Sequence, residues 1–409
     1  MKLSIIIIGD EILLGRVTDT NSGLISRTLT DQGWETVGIR TVGDDAGTIR
    51  SAVEAALAEA DLVITTGGLG ATRDDITKSV MMEFFGGEPV YNADVEANLE
   101  EIFEKRGIKL NQLTRTQAIV PSSARIIRNI TGTAPIMWFE KEAKVLINMP
   151  GVPFETRTMM PIVAEAIQEH FHPDSHAMRR DLTAINVSES AMAERLASFE
   201  DELPQGTHIA YLPSPGVLIL RLDSTCIEPG RFESLFARLK ELVGENLIGE
   251  GTLSPAQICV ELIRKARATL ATAESCTGGN IAHSITLLPG CSDVYVGSVV
   301  SYSNDVKRNV LGVSAADLDS YGAVSEPVVR AMAEGVRRLT GADFSVATSG
   351  IAGPGGGTAD KPVGTVWIAA SGPDATVAKC HFFTGDRQTV ITRATAAALL
   401  QLITLIQNH

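Results

Sequence analysis

The chain has 409 residues, 44% of them hydrophobic and 21% charged, a balance that fits packed globular domains and excludes a disordered chain. Its 35 Lys and Arg against 49 Asp and Glu leave a formal charge of −14, which opposes adsorption to nucleic acid or anionic lipid. The cysteines (Cys226, Cys259, Cys276, Cys291 and Cys380) are odd in number and form no CxxC pair, which excludes a zinc framework or secreted disulfide scaffold and fits reduced thiols in a cytoplasmic protein.

The length predicts two or three domains. The opening run Leu3-Ser4-Ile5-Ile6-Ile7-Ile8 stops at Gly9-Asp10-Glu11 without a small-residue cleavage site, so it reads as a buried strand rather than a signal peptide. No segment approaches the about 18 apolar residues expected of a membrane-spanning helix. A helix is expected over residues 21–32, a strand over 35–40, a helix over 45–59 and a third strand over 61–66. This βαβα rhythm predicts a mostly parallel sheet with helices on both faces. A long helix over 92–106 and a late strand over 144–149 follow.

Residues 174–251 change character, carrying Pro204, Pro213, Pro215 and Pro229 with alternating strands such as 216–222. They read as a small α+β connector. From Ser254 the α/β rhythm resumes, with strands over 268–273, 294–300 and 343–347 and a last helix over 389–407. The expected architecture is two α/β sandwich domains, residues 1–170 and 251–409, joined by a connector over 171–250.

Two acidic, glycine-punctuated turns follow strands one and three. They are Gly9-Asp10-Glu11-Ile12-Leu13-Leu14-Gly15 and Gly67-Gly68-Leu69-Gly70-Ala71-Thr72-Arg73-Asp74-Asp75-Ile76-Thr77. Ligands of open parallel sheets bind outside the carboxyl ends of strands, so both turns face the expected crevice. Gly67, Gly68 and Gly70 let the backbone approach a phosphate, and Thr72 marks the opening of a helix with unpaired N–H groups. Asp10, Glu11, Asp74 and Asp75 read as ligands of a divalent metal, or else as caps and first-turn residues that complement helix dipoles. The residues alone leave both readings open.

A second constellation begins at Glu274-Ser275-Cys276-Thr277-Gly278-Gly279, where Ser275 projects from a strand-to-helix turn. Backbone amides of that turn, with Gly278 and Gly279 permitting close approach, suit a tetrahedral oxyanion. A serine hydroxyl needs a base. His283 falls within a helix and His381 within a late strand, so a Ser–His–Asp triad is poorly supported. Tyr302 and Lys307, five residues apart in Ser301-Tyr302-Ser303-Asn304-Asp305-Val306-Lys307, sit across another turn. A partly desolvated lysine is a base near neutral pH, and the tyrosine is a candidate proton relay or oxyanion donor. The plainer alternative has Ser275 as a cap, Tyr302 as packing and Lys307 as surface. Downstream, Gly353-Pro354-Gly355-Gly356-Gly357-Thr358 is a candidate phosphate cradle or a plain connector. Arg387, after Gly385-Asp386, is a candidate phosphate clamp or a solvated side chain. Asn304, Thr348 and Ser349 are further candidates for substrate contact.

Several blocks carry a family resemblance. Ile8-Gly9-Asp10-Glu11-Ile12-Leu13, Asp19-Thr20-Asn21, Thr65-Thr66-Gly67-Gly68-Leu69-Gly70, Asp74-Asp75-Ile76-Thr77 and Met149-Pro150-Gly151-Val152-Pro153 resemble the molybdopterin-binding-like domain that opens the CinA family (competence/damage-inducible protein A). Ala71 stands where that family usually has proline. Ala273-Glu274-Ser275-Cys276-Thr277-Gly278-Gly279, Val300-Ser301-Tyr302-Ser303-Asn304 with Lys307, Gly322-Ala323-Val324-Ser325, the block from Ser349 to Thr358, and Lys361-Pro362-Val363-Gly364-Thr365-Val366 look like its C-terminal, nicotinamide mononucleotide deamidase domain.

The resemblance implies Ser275 as nucleophile with Tyr302 and Lys307 as activating partners, needing no metal. At the N-terminal crevice it implies either pterin-like ligand binding or hydrolysis of a dinucleotide such as ADP-ribose with cobalt or magnesium. The connector resembles a KH-like insert, but it holds no G-x-x-G loop, so no nucleic acid partner is expected. The expected partners are small nucleotides and a second copy of the chain, with no membrane. The rival reading is an accessory or pterin-binding protein in DNA uptake or damage response.

Overall fold

The computed structural model describes residues 1–72, 75–172 and 178–409, and the chain divides into two compact units, Met1–Met178 and Arg179–His409. In the first unit a six-stranded sheet runs in the order Glu35–Val42, Lys2–Ile8, Leu62–Thr66, Lys144–Met149, Ile136–Lys141 and Arg125–Ile127. The first four strands are parallel neighbours; the last two pair antiparallel.

The unbroken apolar run at the start is explained by burial on both faces of the sheet. Leu3, Ile5 and Ile7 pack with Ile25 and Leu29 of the helix Asn21–Thr30 and with Met159 and Val163 of the helix Pro153–Phe171. Ile6 and Ile8 face the other way, onto Ile49 and Val53 of the helix Ala46–Glu59 and Val80 and Met81 of the helix Thr77–Phe85. Each such side chain contributes about 1.5–3 kcal/mol on full burial. The helices start where the sequence marks them: Asp45 accepts from the Thr48 amide, and Asn92 caps the helix Ala93–Lys105 by accepting from the Val95 amide.

The chain leaves Lys2–Ile8 for Glu35–Val42 on one side and then returns to Leu62–Thr66 on the other. This reversal opens a crevice at the carboxyl ends of the two inner strands. Gly67 sits there with φ +112°, and a Cβ on it would lie 2.0 Å from Ile8 O, so no larger residue fits without moving the strand end.

The second unit contains two sheets. The connector folds as four strands in the order Thr207–Ser214, Val217–Ser224, Met178–Ala184 and Leu247–Glu250. The C-terminal sheet runs Tyr295–Val300, Leu270–Glu274, Phe344–Gly350, Thr365–Ser371 and Thr376–Phe382, with three parallel strands followed by two antiparallel ones. Ile185, Val217 and Ile219 of the connector share one apolar cluster with Ile258 and Ile263 of the helix Pro255–Lys265 and Leu399 of the last helix, Arg387–Gln407. That last helix is long and apolar enough, by length and composition, to cross a membrane, contrary to the expectation that no segment would be. Val390, Ala394, Ala398, Leu402 and Ile403 on it are buried in the core of the unit.

Candidate active site

Ser275 is the first residue beyond the strand Leu270–Glu274, and its amide donates to Thr348 O of the neighbouring parallel strand at 3.0 Å. The adjacent strand Tyr295–Val300 is tied at the same level, with the Ser301 amide donating to Glu274 O at 2.8 Å. A helix, Asn304–Asn309, opens behind Ser303, whose side chain accepts from the Val306 amide. Its first turn brings Lys307 back to the Ser275 turn. Lys307 Nζ lies 3.0 Å from Ser275 Oγ, 2.6 Å from Ser301 O and 3.4 Å from Tyr302 O.

Lys307 is 1% exposed. Burial holds its ammonium below the usual lysine range, against a small opposing pull from the Cys276 thiolate. Burial pushes the Cys276 thiol itself up to about 12, so near neutral pH it carries no charge and the pull is absent. The surroundings satisfy both protonation states of the amine. An ammonium donates to Ser275 Oγ and the two carbonyls; a neutral amine donates to the carbonyls and accepts the Ser275 proton. A serine and a lysine that can exchange one proton without breaking other bonds form a nucleophile–base pair.

The other candidates spread around this pair. Tyr302 is exposed; its backbone carbonyl faces Lys307, while its hydroxyl accepts from Arg387 Nη2 at 3.0 Å. Arg387 also donates from Nη1 to Gly353 O at 2.7 Å, so one guanidinium joins the tyrosine to the glycine-rich loop. Gly355 and Gly356 lie further along that loop, with open space around Gly355. Asn304 is exposed at the start of its helix. Thr348 and Ser349 are buried inside the strand Phe344–Gly350, longer than expected: Thr348 Oγ1 pairs with Thr277 Oγ1 at 2.8 Å, and Ser349 Oγ donates to Ala323 O. The amides of Gly278 and Gly279 are also engaged, with Ser275 O and the Glu274 carboxylate respectively.

The crevice of the first unit is a separate cavity of about 470 Å³, lined by Gly67, Gly68, Gly70 and Thr72 on one wall and by Glu11, Asp19, Asp44, Asp75 and Glu155 around it. Asp75 caps the glycine turn: its Oδ1 accepts from the Gly70 amide at 2.7 Å and its Oδ2 from the Thr72 amide at 3.0 Å and from the Thr72 hydroxyl. Asp10 Oδ1 accepts from the Asp44 amide, and the Asp10 amide donates to Asp44 Oδ2. Asp74 lies outside the described residues. Among the described residues no three His, Cys, Asp or Glu side chains come together as a metal-holding group. Asp10 is thus tied to the Asp44 backbone and Asp75 to the glycine turn, while Glu11 lines the same cavity.

Sequence reasoning passed over several residues. Glu274 is fully buried, and its two oxygens accept from the amides of Gly279, Ile281 and Ala282 and from the Thr277 hydroxyl. Its position directly before Ser275 was the available signal. In the crevice, burial pushes the Glu155 carboxyl up despite a hydrogen bond from Asn129 Nδ2 at 2.8 Å. Asn21 donates to Thr66 Oγ1 and Gly151 O, and its buried Oδ1 has no partner among the described residues.

Comparison with known proteins covers both units. Residues 253–406 match the family described as the CinA C-terminal domain, and residues 4–170 match the probable molybdopterin binding domain. A CinA-like protein of Cytophaga hutchinsonii is 41% identical over 406 residues, covering 98% of this chain and 96% of that protein. A putative competence-damage inducible protein of Desulforudis audaxviator is 40% identical over 395 residues, covering 95% of each. A solved CinA superfamily protein of Klebsiella pneumoniae is 36% identical over 38% of this chain and 97% of its own, with a TM-score of 0.37.

Proposed function

Because the chain belongs to the CinA family, we propose that its C-terminal half is an amidohydrolase that converts nicotinamide mononucleotide to nicotinate mononucleotide and ammonia. The observation that carries this reading is the 3.0 Å approach of the buried Lys307 Nζ to Ser275 Oγ at the ends of two adjacent parallel strands.

In the proposed reaction neutral Lys307 takes the Ser275 proton as Oγ attacks the carboxamide carbon. The C–N bond of the tetrahedral adduct then breaks as the same proton passes from Lys307 to the departing amine, releasing ammonia. Water, deprotonated by Lys307, attacks the acyl-enzyme; its proton returns through Lys307 to Ser275 Oγ, and the carboxylic acid released ionises to the carboxylate by losing its remaining proton to solvent. A single lysine serves as base and acid in turn. On the substrate's far side, Arg387 and the loop around Gly353, Gly355 and Gly356 supply donors for the 5′-phosphate. Asn304 and Tyr302, both exposed on the turn before Lys307, are further contacts for the substrate.

The test is ammonia release from nicotinamide mononucleotide by the intact chain, beside Ser275→Ala and Lys307→Ala. Release by the wild type that falls by at least about 10²-fold in both variants supports the assignment. A folded wild type that releases none removes it.

A second reading concerns the first unit. The glycine turn ringed by Glu11, Asp19, Asp44, Asp75 and Glu155 favours cleavage of a nucleoside diphosphate such as ADP-ribose over binding of an uncharged pterin ring. A divalent cation accompanying the diphosphate would offset its charge against these carboxylates. AMP release from ADP-ribose that requires added cobalt or magnesium, and is lost in Asp75→Ala, is the expected result. Unchanged release in that variant counts against this use of the turn.

A further inference from the structure

The turn that carries Ser275 allots its backbone N–H groups unevenly. The Ser275 amide donates to Thr348 O, Gly278 to Ser275 O and Asn280 to Thr277 O. Gly279 and Ile281 donate to Glu274 Oε2 at 3.0 and 3.1 Å, and Ala282 to Glu274 Oε1 at 2.8 Å. Between Ser275 and Ala282, only the amides of Cys276 and Thr277 donate to no other residue among the described residues, the Cys276 amide facing just its own thiol. They belong to the two residues directly after the nucleophile. A buried N–H without a partner is rare, because leaving it unmet costs about as much as a lost hydrogen bond.

We propose that the Cys276 and Thr277 amides form the oxyanion hole of the Ser275 site and that Glu274 is the positioning residue that builds it. The proposal rests on the deamidase reading. It narrows the oxyanion donors of this turn to two amides, since those of Gly278 and Gly279 are committed to holding the turn.

Glu274 is fully buried, and its carboxylate draws the Gly279, Ile281 and Ala282 amides inward. It also holds the Thr277 hydroxyl at 2.7 Å, and that hydroxyl pairs with Thr348 Oγ1 at 2.8 Å. Thr277 is therefore pinned through its side chain to the strand that precedes it and to the neighbouring strand Phe344–Gly350, which restrains its backbone. The left-handed backbone at Gly278 and Gly279, φ +61° and +100°, lets the chain double back over the carboxylate. In the reaction the carbonyl oxygen gains negative charge as Ser275 Oγ bonds to carbon. Two fixed N–H donors meet that charge without having to reorganise.

The experiment compares the wild type with Glu274→Gln, using nicotinamide mononucleotide and its thioamide analogue. Glutamine keeps the size and one acceptor, but its NH₂ opposes an amide it should accept from. The expected result is a fall in kcat of about 10²-fold with KM within a few-fold, the pattern of an interaction made in the transition state. The preference for the oxygen substrate over the sulfur one should shrink in the variant, because a well-formed hole discriminates between the two atoms. A lesion elsewhere in the fold would not move that ratio. Thr277→Val, which lacks the bridging hydroxyl, should show the same two changes, and Thr277→Ser should restore wild-type behaviour; this pair decides the matter if Glu274→Gln does not fold. An unchanged kcat and substrate ratio in folded Glu274→Gln or Thr277→Val, with an active wild type, overturns the hole and leaves the deamidase standing. An inactive, folded wild type overturns both.

Discussion

Lys307 poses the sharpest question at the scale of single residues, because an amine buried to 1% exposure is held against a hydroxyl and two carbonyls. Its pKa is lowered by desolvation, so the folded protein sheds this proton at a lower pH than the unfolded chain does. Between the two pKa values the unfolded state binds more protons, and stability therefore rises with pH through that window. Below the folded pKa the full cost of charging the buried amine is present. Lys307→Met should remove this pH dependence and raise the melting temperature at neutral pH while abolishing deamidation. Melting curves across pH 6 to about 10 check it, and a variant that melts lower than wild type at pH 7 contradicts it. Activity should follow the same proton, rising with pH as the neutral amine forms, with the limb lying below the ordinary lysine value.

At the scale of elements, Gly335 reverses a general rule. Within a helix interior, alanine is ordinarily favoured over glycine by about 1 kcal/mol. Gly335 lies in the helix Glu326–Thr340, however, and a Cβ there would sit 2.0 Å from Leu311 O, a backbone atom that cannot swing aside. Gly335→Ala should therefore destabilise by about 1–3 kcal/mol, measured by denaturant unfolding. A stabilised variant would mean that the helix stands further from residue 311.

How much of these elements was legible follows from what decides each one. The strands Lys2–Ile8 and Lys144–Met149 are written as mostly apolar runs, broken only by the buried Ser4 and Asn148 after each leading lysine, because both their faces are covered, and their limits came out within a residue. The helices capped by Asp45 and Asn92 were expected to begin at those residues, while the last helix, capped by Asp386, starts two residues before the expected 389. The strand Ile136–Lys141 and the long helix Pro153–Phe171 were passed over. The strand turns back on its neighbour through Glu142 and Ala143, both at positive φ, without the glycine or asparagine that usually marks a hairpin. The helix contains Pro161, which normally counts against a helix interior. In the site, the turns at Ser275 and Lys307 left a surface lysine as an open alternative, and the structure buries that lysine beside Ser275. The bond from the Tyr302 hydroxyl to Arg387, 85 residues away, depends on tertiary placement that no local pattern records.

On the scale of the whole molecule, the question is which parts of the chain the chemistry needs. Ser275, Lys307, Arg387, Gly353 and Glu274 all belong to the unit Arg179–His409. The connector is more than a spacer within that unit, because Val217 and Ile219 lie in the same apolar cluster as the helices Pro255–Lys265 and Arg387–Gln407. Gly216 fits so closely that a Cβ would meet Leu400, Ala396 and Pro255 at 3.1 to 3.2 Å. A fragment of residues 179–409 should therefore deamidate with the kcat of the full chain. A fragment of residues 251–409 keeps every reacting group but uncovers the face of the last helix. It should melt lower, by about 2–4 °C for each kcal/mol of burial lost. Thermal melts and single-site rates of the two fragments beside the intact chain test both points. If the shorter fragment is as stable as the longer, the connector packs without contributing. A kcat several-fold lower in residues 179–409 than in the full chain would show that the first unit acts on the Ser275 site, a coupling for which neither unit by itself supplies a physical cause.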